Sequence, residues 1–204
     1  MSLTKPFIII TIKRKYIVQM KKNCMNKEAI LNTEITVKSE KIFEGKIINL
    51  RVDTVELENQ KYAKREIVEH KSASAIVAIT EKNELLLVKQ YRKAVEDFLY
   101  EIPAGILNIA EEPIECALRE LREETGFEAK KIEKIYEFYT SPGFSNEKVY
   151  LFKAEELTFI STNFDEDECV ETFAVTREEA KKMIETGRIM DSKTLIGMQH
   201  WLNL

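Results

Sequence analysis

Two short runs, Ala75-Ile76-Val77-Ala78-Ile79 and Leu85-Leu86-Leu87-Val88, are apolar at every position and constrain the fold more than any other feature of the chain. A strand covered on one face alternates apolar and polar residues, whereas an unbroken apolar run needs cover on both faces. The turn Glu81-Lys82-Asn83 separates the runs, so they read as two strands buried on both faces. Helices to cover them are predicted at Pro113–Thr125, after Thr176 and from about Asp191. Thr176 and Glu179 form a T-x-x-E capping box with Gly187 as the stop. Leu195, Met198 and Leu202 give the last helix a core-facing stripe. Further strands are predicted at 132–139, 148–154 and 169–175. A strand-like block from Ile42 to His70 turns at Glu58-Asn59-Gln60. Strands with helices on both sides imply an α/β layered domain.

Charge separates the first residues from the rest. The first 27 hold seven Lys or Arg and no acid, which leaves 24 basic against 35 acidic residues in the remainder. Residues 1–33 therefore read as an extension, disordered or foreign to the natural protein, whose own start would fall near Met20 or Met25. An acidic body argues against a nucleic-acid polymer as partner, because polymer affinity comes mainly from neutralised phosphates. A small phosphorylated substrate held through bridging metal ions is compatible with it. No apolar stretch approaches the ~20 residues of a membrane helix, and neither a signal-peptide core nor its cleavage site is present. The expectation is a cytoplasmic protein with no membrane partner. Cys24, Cys116 and Cys169 are too few and too dispersed for a disulfide framework or a zinc site, and read as free thiols. His70 and His200, each alone, read as structural.

Three of the four prolines (Pro103, Pro113, Pro142) and three of the six glycines (Gly105, Gly126, Gly143) fall between 103 and 143. That window needs backbone geometry that the rest of the chain does not. Inside it lies the predicted helix. At ~100° per residue Ile114, Ala117, Leu118 and Leu121 share one face. Glu120 and Glu124 lie ~40° apart on the adjoining face, with Glu123 ~60° from Glu120. Like charges so placed repel one another, and Glu123 and Glu124 also oppose the helix dipole at its C-terminal end. A solvated acidic face is one reading. A set of hard oxygen ligands for Mg²⁺ or Mn²⁺ is the other.

From Gly105 to Phe127 the residues follow Gly-x5-Glu-x7-Arg-Glu-U-x-Glu-Glu-x-Gly-U, where U is bulky and apolar. Seven specified residues at roughly 6% each, two apolar positions and ~200 starts leave a chance match of about one in ten million. The pattern matches the Nudix box at every position, and the chain resembles the Nudix hydrolases. That resemblance implies a Nudix α/β/α sandwich with a small N-terminal antiparallel β region, in which the box forms a loop-helix-loop. It implies Mg²⁺ (or Mn²⁺) held by Glu120 and Glu124, with the Ala104 carbonyl completing the site. Glu123 would be a further ligand or a partner one step out, counted among the catalytic residues. Arg119 and Glu111 would tie loop to helix by an ion pair, and Gly126 would stop the helix.

Lys64-Arg65-Glu66, Lys89-Gln90-Tyr91-Arg92, Glu101-Ile102-Pro103-Ala104-Gly105 and Ser141-Pro142-Gly143 are similar to the ADP-ribose pyrophosphatase group. Pro142 stands sixteen residues after the second box glycine, a marker of that group. The resemblance implies hydrolysis of ADP-ribose to AMP and ribose 5-phosphate, substrate contacts from Arg65, Arg92 and Pro142, and a homodimer in which the N-terminal strands serve the partner's adenine site. Phe43 is the stacking candidate there. The acidic segment Asp165-Glu166-Asp167-Glu168 resembles the loop that supplies catalytic glutamates, with Glu166 as base and Glu168 as metal ligand. The division expected is 1–33 extension, 34–70 dimer-forming β region and 71–204 hydrolase domain. Two alternatives stay open: a Nudix hydrolase of another nucleoside diphosphate sugar such as GDP-mannose, or an ADP-ribose sensor that does not hydrolyse.

Overall fold

The computed structural model describes residues 33–160 and 171–204. The extension before Thr33 and the segment with Glu166 and Glu168 lie outside them. Ten strands and three α-helices follow in order: β1 Ile35–Glu44, β2 Ile48–Leu57, β3 Lys61–His70, β4 Ala73–Ala78, β5 Leu85–Arg92, β6 Asp97–Glu101, β7 Ala104–Ile106, α1 Pro113–Thr125, β8 Phe127–Tyr139, β9 Lys148–Phe159, β10 Glu171–Val175, α2 Arg177–Glu185 and α3 Ser192–Leu202. They build three sheets, ordered β1-β2-β3, β10-β5-β6 and β7-β4-β9-β8.

The apolar runs become the two central strands, and their alternation divides the core. Ala75, Val77, Ile79, Leu85 and Leu87 face one layer with Met183 of α2 and Met198 and Trp201 of α3. Ile76, Ala78 and Leu86 face the other with Ala117 and Leu121 of α1. All these residues are buried, so the sheets are covered on both faces and the domain is an α/β/α sandwich. β4 pairs in parallel with β9 and antiparallel with β7, which sets Ser74 opposite Gly105.

Helix α1 begins and ends where expected. Pro113 occupies its first turn, Glu112 and Glu115 form a reciprocal capping box, and Gly126 closes it at φ 73° with its N–H on the Arg122 carbonyl. Its apolar stripe differs from the expected one. Ile114 and Leu118 stay partly exposed, while Cys116, Glu124 and Thr125 are buried with Ala117 and Leu121. The first turn lies against β4, where the Ser74 hydroxyl donates to the Pro113 carbonyl at 2.7 Å, and Leu118 sits ~100° from Ala117, at the edge of the covered arc. β6 and β7 are additional to the predicted strands. β8 and β9 both extend beyond the predicted ranges as one long antiparallel pair with a bulge between Lys134 and Tyr136.

The N-terminal antiparallel sheet joins the sandwich through a short stitch. The Val68 N–H donates to the Phe144 carbonyl at 2.8 Å, the Asn146 N–H to the Val68 carbonyl at 3.3 Å, and the His70 N–H to the Asn146 side chain at 2.9 Å. The turn that carries Pro142 is thereby fastened to the end of β3.

Candidate active site

The box lies where the β6–β7 connection passes beneath α1, and successive residues of that connection are fixed by different elements. The Ile102 N–H donates to the Thr194 hydroxyl at 2.9 Å. The Pro103 carbonyl accepts from the Ile76 N–H at 2.9 Å. The Ala104 N–H donates to the Glu124 carboxylate at 2.9 Å. At Gly105 an added Cβ would fall on the Glu120 carboxylate. Ala104, Glu120 and Glu124 are thus brought together along one short strand. Glu124 is 6% exposed, and the Glu120 side chain 13%. Carboxylates this sheltered need charged or hydrogen-bonded company.

Arg119 supplies much of that company. Its Nε and Nη2 bind both Glu111 oxygens at 2.8 and 3.0 Å. Nη1 donates to Glu120 at 2.6 Å and to Glu123 at 2.9 Å, and Nη2 also reaches the Ile106 carbonyl at 3.2 Å. The expected ion pair between loop and helix is therefore present, and it extends to two more box glutamates. Hydrogen bonding from Arg119 holds the Glu111 carboxyl down at about 2, against an ordinary 4.5, and the Asn108 N–H adds to this. The same pairing, Glu111 first, raises the Arg119 guanidinium. Burial pushes the neighbouring Cys116 thiol up to about 11; it is a free cysteine.

Arg92 is part of a second network. Its Nε and Nη2 bind both oxygens of Glu101 at 2.7 Å each, and Lys193 at the start of α3 joins them. The Glu101 side chain is only 2% exposed. Burial works to raise its carboxyl, but Arg92 and Lys193 outweigh burial and hold it below the ordinary carboxylate range. Glu101, Lys193 and Thr172, whose hydroxyl donates to the Glu124 carbonyl at 2.7 Å, have no role in the reading of the sequence. Only Glu101 appears there, as the first residue of Glu101-Ile102-Pro103-Ala104-Gly105 and with no contact assigned to it.

The remaining expected substrate residues lie elsewhere. Arg65 is on the N-terminal sheet, bound through Nε to Glu34 at 2.9 Å. The Phe43 ring crosses over Gly45 and is half exposed. Pro142 is exposed in the turn stitched to β3. Among the described residues, the hydrogen bonds and ion pairs of Arg65 are not with the box carboxylates. Among the described residues, no three His, Cys, Asp or Glu side chains already form a cage for an ion.

A helix-borne carboxylate set facing a glycine-bearing strand, mounted on an α/β/α sandwich, is the architecture that the box led us to expect. The NUDIX domain family matches residues 69–193, and the nucleoside diphosphate sugar hydrolase N-terminal domain matches residues 34–68. The chain belongs to the Nudix family. It is 50% identical to an ADP-ribose pyrophosphatase of Bacillus subtilis, over 82% of this chain and 91% of that protein. It is 46% identical, over the same shares, to the methanol dehydrogenase activator of Bacillus methanolicus. Among solved structures, an ADP compounds hydrolase superposes with a TM-score of 0.76 at 20% identity, covering 85% of this chain and 96% of that one, which shows the shared fold.

Proposed function

We propose that this chain is a Nudix nucleoside diphosphate-sugar pyrophosphatase that hydrolyses ADP-ribose to AMP and ribose 5-phosphate. The observation that carries this reading is the 50% identity to an ADP-ribose pyrophosphatase across nine-tenths of that protein's length. The complete set of box glutamates in this chain supports it.

Mg²⁺, with Mn²⁺ as a substitute, is the proposed cofactor, and the residues present fit it. They offer hard oxygen donors, and the missing side chain at Gly105 leaves room for the Glu120 carboxylate. Mg²⁺ commonly keeps several waters and binds through one or two carboxylates plus substrate phosphates, so a prebuilt protein cage is not required. Glu120, Glu124 and the Ala104 carbonyl would hold it, with Glu123 beside them and Glu168 completing the set. When bound, such an ion lowers the pKa of water and offsets charge on the phosphate.

Glu166 is the proposed acceptor of the water's proton, a role that needs hydrogen-bond reach of the water. Support comes from the ends of the segment that carries it. The Ile160 N–H donates to the Gly126 carbonyl at 2.9 Å, and the Thr172 hydroxyl donates to the Glu124 carbonyl at 2.7 Å. Both anchors stand at the C-terminal end of α1, beside Glu123 and Glu124. Arg92, held flat by Glu101, would present its remaining edge to a phosphate.

A homodimer is part of the same proposal, with Phe43 and Arg65 serving the partner's site and Pro142 lining it. Its support is the exposed apolar surface of the N-terminal sheet, where Ile35, Val37, Ile42, Phe43, Ile47 and Tyr62 are each at least 50% exposed. A division at residue 70 between that sheet and the hydrolase domain is also proposed, supported by the family matches meeting at 68 and 69. So is a cytoplasmic location; among the described residues no helix is long and apolar enough to cross a membrane.

The test is chromatography of products from ADP-ribose, GDP-mannose and related compounds in Mg²⁺. AMP released fastest from ADP-ribose is the expected result. Preference for GDP-mannose would replace the substrate and keep the chemistry, and binding without turnover of any compound would sink the hydrolase reading.

A further inference from the structure

On the layer opposite α1, a pocket of about 490 Å³ lies between β6, β10 and α2. It shares no residue with the box or with the Glu101 network. Strand alternation sets it behind them: Tyr100 and Phe173 line it, while their neighbours Glu101 and Thr172 hold Arg92 and the end of α1. Its volume falls within the range of small-molecule sites, about 300–1,000 Å³.

The lining has two chemical halves. Tyr100 and Phe173 meet edge to face, ring centroids 5.7 Å apart, and form an aromatic wall. Arg188 lies over the Tyr100 ring at 4.8 Å and donates to its hydroxyl. Lys182 of α2 stands on the same wall of the pocket as Thr186. Neither cation has a carboxylate partner among the described residues, as is also true of Arg177 over the Trp201 ring, whereas Arg51, Arg65, Arg92, Arg119 and Arg122 each have one. The one acid in the lining, Glu179, is occupied by the Thr176 N–H and hydroxyl at 2.9 Å each. Among the described residues, two positive charges are thus left without a carboxylate beside an aromatic surface in a concavity.

We propose that this pocket is a second ligand site, for a phosphate monoester that carries a planar ring, a nucleoside monophosphate being the simplest member. The guanidinium of Arg188, kept planar against Tyr100, and the Lys182 ammonium would take the phosphate. Tyr100 and Phe173 are half-buried against the core, and the part of their rings that lines the pocket would take the ligand's ring. The proposal does not depend on which compound the box cleaves.

The test is titration of the full chain with AMP, and separately with inorganic phosphate, followed by amide NMR in excess chelator so that no divalent ion bridges a nucleotide to the box. Saturable AMP shifts at Tyr100, Phe173, Thr186 and Arg188 are expected, with at least tenfold weaker binding in Lys182→Ala/Arg188→Gln. Lys182→Glu, on the surface of α2, serves if the double variant is unstable, and is expected to weaken AMP in the same direction. Shifts confined to 104–124, affinity unchanged in the variants, or phosphate binding as tightly as AMP would each overturn the proposal. Turnover of ADP-ribose measured in parallel separates this outcome from failure of the hydrolase reading.

Discussion

Gly105 and Glu120 occupy one space: the carboxylate of Glu120 lies where a side chain at position 105 would begin. Gly105→Ala should therefore evict Glu120 while leaving the helix and sheets standing. A displacement of about 1 Å in a catalytic constellation costs on the order of 100-fold. We expect a loss of that size in kcat with the circular dichroism melt nearly unchanged; activity close to that of the parent protein would show that Glu120 can act from elsewhere.

The Glu111–Arg119 pair predicts acid sensitivity with a definite sign. The folded carboxyl sits at about 2 against an ordinary 4.5, so its stabilisation is complete above about 4.5 and is lost as pH falls towards about 2. Urea unfolding midpoints should drop across that window, and Glu111→Gln should flatten this part of the drop. Parallel curves for the two proteins would show that other carboxylates control acid unfolding.

Arg92 should matter to stability as well as to substrate. Arg92→Ala leaves the buried Glu101 carboxylate to Lys193 alone, a loss of about 1–3 kcal/mol. The reading is chemical denaturation without substrate. Adding Glu101→Gln should recover part of the deficit in a double-mutant cycle, whereas an unaltered midpoint in Arg92→Ala would restrict the residue to substrate contact.

Cys116 is buried, and its thiol is raised to about 11. Thiolate is scarce at pH 8, so alkylation by iodoacetamide should spare Cys116 in the folded protein and reach it after unfolding in urea. Peptide mass spectrometry distinguishes it from the other two cysteines, and rapid labelling of the native peptide would contradict the burial.

Legibility in the sequence followed the strength of local signals. The bounds of α1 were readable because Pro113 and Gly126 punctuate both ends, and β4 because a short unbroken apolar run closed by a turn suits a strand covered on both faces. β6 and β7 were not readable. β7 is three residues long, and β6 is held partly by cross-strand partners that no local pattern announces. The exposure of Ile114 and Leu118 depends on which part of the helix face its neighbours cover, which helical periodicity does not encode. At the site, the Arg119–Glu111 pair followed from the box, while its extension to Glu120 and Glu123 follows from side-chain reach in the folded helix. Lys193 and Thr172 come to the site from distant segments, a contact that only tertiary structure creates.

The parallel pairing of β4 with β9 has a consequence for how the protein is born. Ala75 finds Leu151 only after α1 and the whole of β8 have left the ribosome between them. Parallel partners this distant in sequence close late and slowly. Until they do, Phe152 and Ala154 are missing from the layer beneath α1, and Ile76, Ala78 and Leu121 lack that part of their cover. The nascent chain therefore carries a complete set of box glutamates before β9 is there to finish the platform that aims them.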